Sequence, residues 1–232
     1  MMAQDQEAAI GLDTDLIRRF RQLRPNEEIT LQRTVQDVPA TARFRRFVGS
    51  VIGMHWVGMP VERMPRAFRP NRDAAGLSLA SIDQPVFRFD GSEGATPASL
   101  YRFGDLVLAS RTATDILTEL DPQGFEQRPA TVEGVGEGGG YSLLLLTRAL
   151  DPIDLPRTTV KLLNYLLPGT DIFSKVASFP DGYTVRADLP RSIHIVLNTF
   201  NADILISTEL IQRWAVVGAI RTEADRTERR RT

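Results

Sequence analysis

Apolar side chains recur along this chain with two periods, and the change from one to the other marks its elements. After Asp13, residues Leu16, Ile17, Phe20 and Leu23 fall at the spacing of an amphipathic helix. An acid precedes the run and arginines close it, which complements the helix dipole, and Pro25 stops it. Ile29 to Val35 alternates apolar and polar positions, the signature of a short strand. From Phe44 to Met64 the chain is apolar but broken by Gly49, Gly53 and Gly58, and the pattern fits helix and strand equally. The stretch 64–76, with Pro65, Pro70, Arg66, Arg69 and Arg72, predicts an exposed loop. Val86 to Phe89 predicts a strand after Pro85. The turn-rich residues 91–97 mark where any subdivision of the domain would fall.

The C-terminal half is more regular. Leu106 to Ala109 has the composition of a buried strand. Ser110 follows as a helix cap, with Ala113, Ile116, Leu117 and Leu120 on one helical face. Asp121-Pro122-Gln123-Gly124 ends that helix. Phe125 to Val132 predicts a strand, with Pro129 arguing for an edge. Tyr141 to Thr147, Tyr183 to Ala187 and Ile193 to Leu197 predict further strands. The first pattern then recurs. Asp203-Ile204-Leu205-Ile206-Ser207 reads like Asp105-Leu106-Val107-Leu108-Ala109, and a helix carrying Leu210, Trp214 and Val217 follows. The expectation is an α+β fold, a mixed sheet with two strand–helix units in the C-terminal half that pack against one sheet. Residues 10–221 form a single globular domain, 1–9 a flexible start, and 222–232 a charged, disordered tail.

Composition narrows the function. The chain has 232 residues, 42% of them hydrophobic, enough to bury a core without disulfides or metal. It has no cysteine, which removes thiolate catalysis, iron–sulfur clusters and cysteine-based zinc sites. The net charge is −1 and arginines interleave with acids, so no basic stripe points to nucleic acid. The first twenty residues contain Asp5, Glu7, Asp13 and Asp15 and no apolar signal core. No apolar run approaches the ~20 residues of a membrane span. A soluble cytoplasmic protein without a membrane anchor is expected.

Candidate chemistry is sparse. The two histidines are His55 and His194. His194 alternates with Ile193 and Ile195, which predicts a surface or cross-strand position, and no hydrolase motif accompanies either ring. Gly134-Val135-Gly136-Glu137-Gly138-Gly139 satisfies a dinucleotide-type glycine pattern, but a strand follows it where the phosphate-binding motif needs a helix. A hairpin loop accounts for it better. Asp151 with Asp154, and Glu119 with Asp121, read as solvated turn acids. No spacing suits a metal, and no cofactor is expected. Trp56, flanked by His55 and methionines, fits a core position or an interface anchor. With Arg63, Arg66, Arg69 and Arg72 it forms the expected partner-binding set.

At the two strand–helix units the sequence resembles a known family. The elements are Leu106-Val107-Leu108-Ala109-Ser110 with Ile116, Leu117 and Leu120, then the Pro129 strand. Tyr141 to Leu146 leads into Leu150-Asp151-Pro152-Ile153-Asp154. Ala202 to Ser207 follows, with Leu210 and Gly218-Ala219-Ile220. Over Gly104 to Arg221 they are similar to the eleventh class of polymorphic-toxin immunity proteins, formerly a bacterial domain of unknown function. The resemblance implies a cytosolic protein that binds a cognate toxin and blocks it without catalysis. Two alternatives stand beside it: an adaptor or chaperone for a secreted effector, and a hydrolase using His194 or His55.

Overall fold

The computed structural model describes residues 15–37, 42–49, 53–57, 79, 84–91, 96–104, 106–135 and 140–220. Asp13, the loop 64–76, the charged tail and the N-terminal nine residues lie outside them. Helix α1 is Asp15–Gln22, followed by strands β1 (Glu28–Leu31), β2 (Phe44–Arg46), β3 (Met54–Trp56) and β4 (Val86–Phe89). Then come β5 (Leu100–Phe103), β6 (Leu106–Ser110), helix α2 (Arg111–Leu120), β7 (Phe125–Glu133), β8 (Tyr141–Leu146) and β9 (Ala149–Leu150). The last elements are β10 (Val160–Leu166), β11 (Phe173–Ser178), β12 (Ile195–Asn198), β13 (Ile204–Ser207) and helix α3 (Thr208–Val216).

The strands form three sheets, ordered β3-β4-β7-β8-β6-β5, β2-β13-β12-β9 and β1-β10-β11. The first two are mixed, through the parallel pairs β4–β7 and β9–β12. The class is α+β, as the sequence predicts. One detail differs. The two strand–helix units, β6–α2 and β13–α3, do not share a sheet. Each strand joins its own sheet, and the two helices pack on each other between them.

Alternation along β8 explains this layering. Leu143 and Leu145 join Tyr101, Leu106, Leu108 and Phe87 on one face of the six-stranded sheet. Leu144 and Leu146 face the other way. There they meet Val107, both helices, and Ile195, Leu197, Ile204 and Ile206 of the four-stranded sheet. A strand buried on both faces reads as an unbroken apolar run, which is what Leu143 to Leu146 is. Trp214 fills the space between the helices, and its Nε1 donates to Ala113 O at 3.0 Å.

Both helix starts use serine. Ser110 Oγ accepts from Ala113 N, and Ser207 Oγ accepts from Leu210 N at 3.1 Å. The cap of α2 is therefore Ser110 and not the residue aligned with Ser207 by strand matching, so the first unit is one residue longer. Pro129 does not mark an edge strand, because β7 lies between β4 and β8, and its tolerance there has a local cause. Gly124 O accepts from Thr147 N, which fixes the β7–β8 ladder so that Pro129 falls at a non-bonded position. Its missing N–H faces away from β8, at a level where β4 has not yet begun, since β4 pairs only from Thr131. β7 and β8, which flank the glycine-rich stretch, pair antiparallel, and residues 136–139 between them lie outside the described residues. Gly134 is left-handed, and a Cβ there would meet Phe89 O at 2.6 Å.

Helix α1 buries Leu16, Ile17 and Phe20 against the three-stranded sheet, the face predicted for it. Of the 44–64 region, residues 44–46 and 54–56 are strands. Residues 183–187 form no strand: a single bridge, Ile153 to Val185, is all that pairs there.

The two larger sheets are joined at Asp121, the residue that ends α2. Its carboxylate is 1% exposed and accepts four hydrogen bonds. Two come from Arg148 Nη1, both at 2.7 Å, and two from the backbone N–H groups of His194 (2.8 Å) and Ile195 (3.1 Å). Arg148 O in turn accepts from Leu197 N at 3.0 Å. The expected solvated acid is thus a buried one. Burial is tolerated because every charge is matched by a donor at close range. Gly124 packs so closely that a Cβ would lie 3.0 Å from the Asp121 carboxylate and from Ile195.

Asp121→Asn should cost roughly 3–5 kcal/mol, because Arg148 is left buried without its counter-charge. The urea midpoint of the full chain reports it. Glu119→Gln, two residues earlier, removes the exposed Glu119–Arg213 pair (2.6 Å) and should barely move that midpoint.

Candidate functional site

The most chemical arrangement in the fold grows from the Asp121 junction. Ile195 pairs with Ile206, so His194 and Ser207 sit side by side across the β12–β13 ladder. His194 Nδ1 lies 2.8 Å from Ser207 Oγ. The cross-strand placement agrees with the alternation in the sequence. A surface placement does not: His194 is 5% exposed. Ile195 and Leu197 face the helix layer, while Val196 faces a second core with Phe44, Leu189, Ile193 and Leu205. With both faces of the sheet covered, the polar position between two isoleucines is covered as well.

A serine beside a histidine is the start of a hydrolytic site, but this pair is otherwise committed. Ser207 Oγ already accepts the Leu210 N–H as the cap of α3, and Ser207 is 1% exposed. The carboxylate that would complete a relay, Asp121, binds the His194 backbone N–H. The set is self-consistent when the serine hydroxyl donates to Nδ1 and the ring is neutral, with its proton on Nε2. Burial lowers the His194 pKa, opposed by Glu209 and Asp121 and aided by Arg43 and Arg148.

His55 lies on β3, exposed, with Nε2 3.4 Å from Asp90. Its neighbour Trp56 is half-buried and meets Phe87 at 4.9 Å and Phe103 at 6.4 Å, so one face of the indole belongs to the core around Phe87, Tyr101 and Leu143. Arg63, Arg66, Arg69 and Arg72 lie outside the described residues. Asp151 is buried, not solvated, and accepts from Ile153 N at 3.0 Å. Asp154 holds Arg157 at 2.8 Å. Among the described residues no group of three or more His, Asp or Glu side chains is placed to hold a metal ion.

Sequence reasoning missed an open cleft of about 470 Å³ between β2 and residues 182–187. Phe44, Val185 and Leu205 give it an apolar lining, and Arg43, Arg46 and Arg186 bring cations to it. Asp203 anchors one end. It accepts from Arg46 Nε (2.8 Å), Tyr183 OH (3.0 Å) and Asn201 Nδ2 (2.8 Å). Burial and the adjacent Asp203 push the Tyr183 hydroxyl up to about 12. Arg43 is structural: its guanidinium donates to the carbonyls of Leu189, Arg191 and Ile193 at 2.6, 2.7 and 2.9 Å. The run Arg43-Phe44-Arg45-Arg46 was the available signal, since a strand with arginines around one buried aromatic has cations to place along an edge.

The buried imidazole makes stability depend on pH in one direction. Its folded pKa is depressed, so below the unfolded value of ~6.5 the unfolded chain takes up a proton that the fold refuses. The stabilisation is complete above that value and is lost as pH falls. Between pH 7.5 and 5 the unfolding free energy should drop, and His194→Gln should flatten the decline. Denaturant titrations at a series of pH values read this out.

A profile of the Immunity protein family (Imm11) matches residues 17–215, from α1 into α3. The match spans all three sheets and reaches well upstream of the stretch on which the resemblance in the sequence rests. No curated protein matches the chain. The matched region covers most of the molecule, and the chain belongs to the Imm11 immunity protein family.

Proposed function

We propose that this protein protects its host cell by binding one cognate toxin domain and occluding it, as a stoichiometric inhibitor. The observation that carries the reading is the use made of Ser207 and His194. The fold spends the serine on a helix cap and buries the ring, so this pair serves architecture. For a member of an immunity family whose own serine–histidine pair is committed to the fold, surface complementarity is the best explanation. Such an interface buries roughly 1,600 Å² and draws most of its energy from a few aromatic, apolar and arginine anchors. Trp56 with Arg63, Arg66, Arg69 and Arg72 is proposed among those anchors. Binding takes place in the cytoplasm of the producing cell, with no cofactor.

The test is co-expression with the toxin domain encoded by the adjoining reading frame. Wild-type chain should restore growth and co-purify with the toxin at a fixed ratio. His55→Ala and His194→Gln should protect equally well when their expression levels match. Toxin that remains free in the presence of excess wild-type chain would end the occlusion reading. Protection that disappears in a folded histidine variant would favour catalysis.

A further inference from the structure

Among the described residues, eight large apolar side chains are exposed, and four of them sit on the one β10–β11 hairpin: Tyr165, Leu166, Ile172 and Phe173. The register explains why Leu166 and Phe173 are uncovered. Leu162 and Ala177 face each other beneath α1, and both are buried. The next pair on that face, Asn164 and Lys175, ties down the end of the helix. Asn164 Nδ2 donates to Leu23 O at 3.2 Å, and Lys175 Nζ donates to Arg21 O. The pair after that, Leu166 and Phe173, lies past the last helical turn. The strands thus carry an apolar face beyond the helix that covers it, while Tyr165 and Ile172, out of phase with Leu166 and Phe173, make the other side of the same tip apolar, Ile172 at 62% exposure.

The tip is held in shape by its own bonds. Leu167 N donates to Ile172 O at 2.9 Å, Thr170 N to Leu167 O at 3.1 Å, and Ile172 N to Thr170 Oγ1 at 3.2 Å, with Gly169 left-handed in the turn. A preorganised apolar knob loses little entropy on docking. Charges of both signs border it: Arg21, Arg24 and Lys175 at the end of α1, Glu27 after the helix and Asp171 in the turn, while Arg18 and Arg19 pair with Asp15 further back.

We infer that the β10–β11 tip is the knob by which this protein enters its toxin, seated in a concave apolar pocket of that partner. The inference rests on the occlusion reading above and gives it a surface. A second copy of this chain fits less well, since a two-fold dimer would set tip against tip and bury little beyond the tips themselves. The four side chains also expose only on the order of 400 Å² together, against ~800 Å² per partner in a stable interface. That suits the centre of a larger contact with a different protein.

Isothermal titration of the full chain with the recombinant toxin domain from the adjoining frame tests this. Ile172→Asp should weaken binding roughly 30-fold or more, and the pair Leu166→Ser with Phe173→Ser should do the same. Val48→Asp puts the same change on a side chain 77% exposed elsewhere, and should stay within about 3-fold of wild type. Thermal unfolding of each variant confirms that it is folded. Folded tip variants that bind like wild type would overturn the knob and leave occlusion standing. Wild-type chain that does not bind the toxin domain would overturn both. Light scattering that shows a wild-type dimer made monomeric by Ile172→Asp would assign the tip to self-association instead.

Discussion

One buried carboxylate fixes how the halves of this molecule meet. Asp121 ends α2, and from there it holds Arg148 at the approach to β9 and the first two amides at the start of β12. Those three segments come from different parts of the chain: a helix end that leads into the six-stranded sheet, and two neighbouring strands of the four-stranded one. A hydrophobic contact would bring them together but would tolerate sliding, because apolar burial has no direction. Four hydrogen bonds to two oxygens do not slide. The net gain of such a buried ion pair over an apolar substitute is small, since desolvation offsets most of the attraction. Its contribution is to fix geometry. With α2 set against β12, the neighbouring residue His194 meets Ser207, Ser207 caps α3, and α3 lies along α2 with Trp214 between them.

The same sequence of contacts explains why a serine and a histidine come within 2.8 Å without forming a reactive centre. A catalytic serine needs an oxygen with its lone pairs free, a base that is reached by solvent or substrate, and an acid that orients the ring. Here the oxygen is occupied by a helix amide, the ring is buried, and the acid is turned to the backbone. Proximity between two residue types says little until each remaining hydrogen bond has been followed to its partner.

Local periodicity made part of this architecture legible. The helical face of α1, the serine-capped units and the double-sided burial of β8 follow from spacing alone, because each is decided within about ten residues. The three-stranded sheet was not legible. β10 carries apolar residues on both faces, and β11 mixes Ser174 and Lys175 into its run, so neither shows a clean period of two. Their third partner, β1, lies far upstream in the chain. The burial of Asp121 was equally hidden, since Asp-Pro-Gln-Gly looks like any solvated turn. Its partner did leave a trace. Arg148 interrupts an otherwise apolar stretch from Leu143 to Leu150, and a lone arginine in such company needs a buried acid somewhere.

The exposed hairpin and the sealed junction are two results of one layout. The molecule puts its ionic constraint at the centre, where α2, α3 and both large sheets converge, and leaves the three-stranded sheet outside that network. α1 is too short to span β10 and β11, so the covered part of their shared face ends at Asn164 and Lys175. Extending the helix by one turn would have buried Leu166 and Phe173 at a gain of roughly 1.5–3 kcal/mol for each side chain fully covered. A fold that forgoes such burial while rigidifying the turn between the two strands keeps that surface available to something other than itself. For a member of an immunity family, a cognate toxin is the partner this surface would serve.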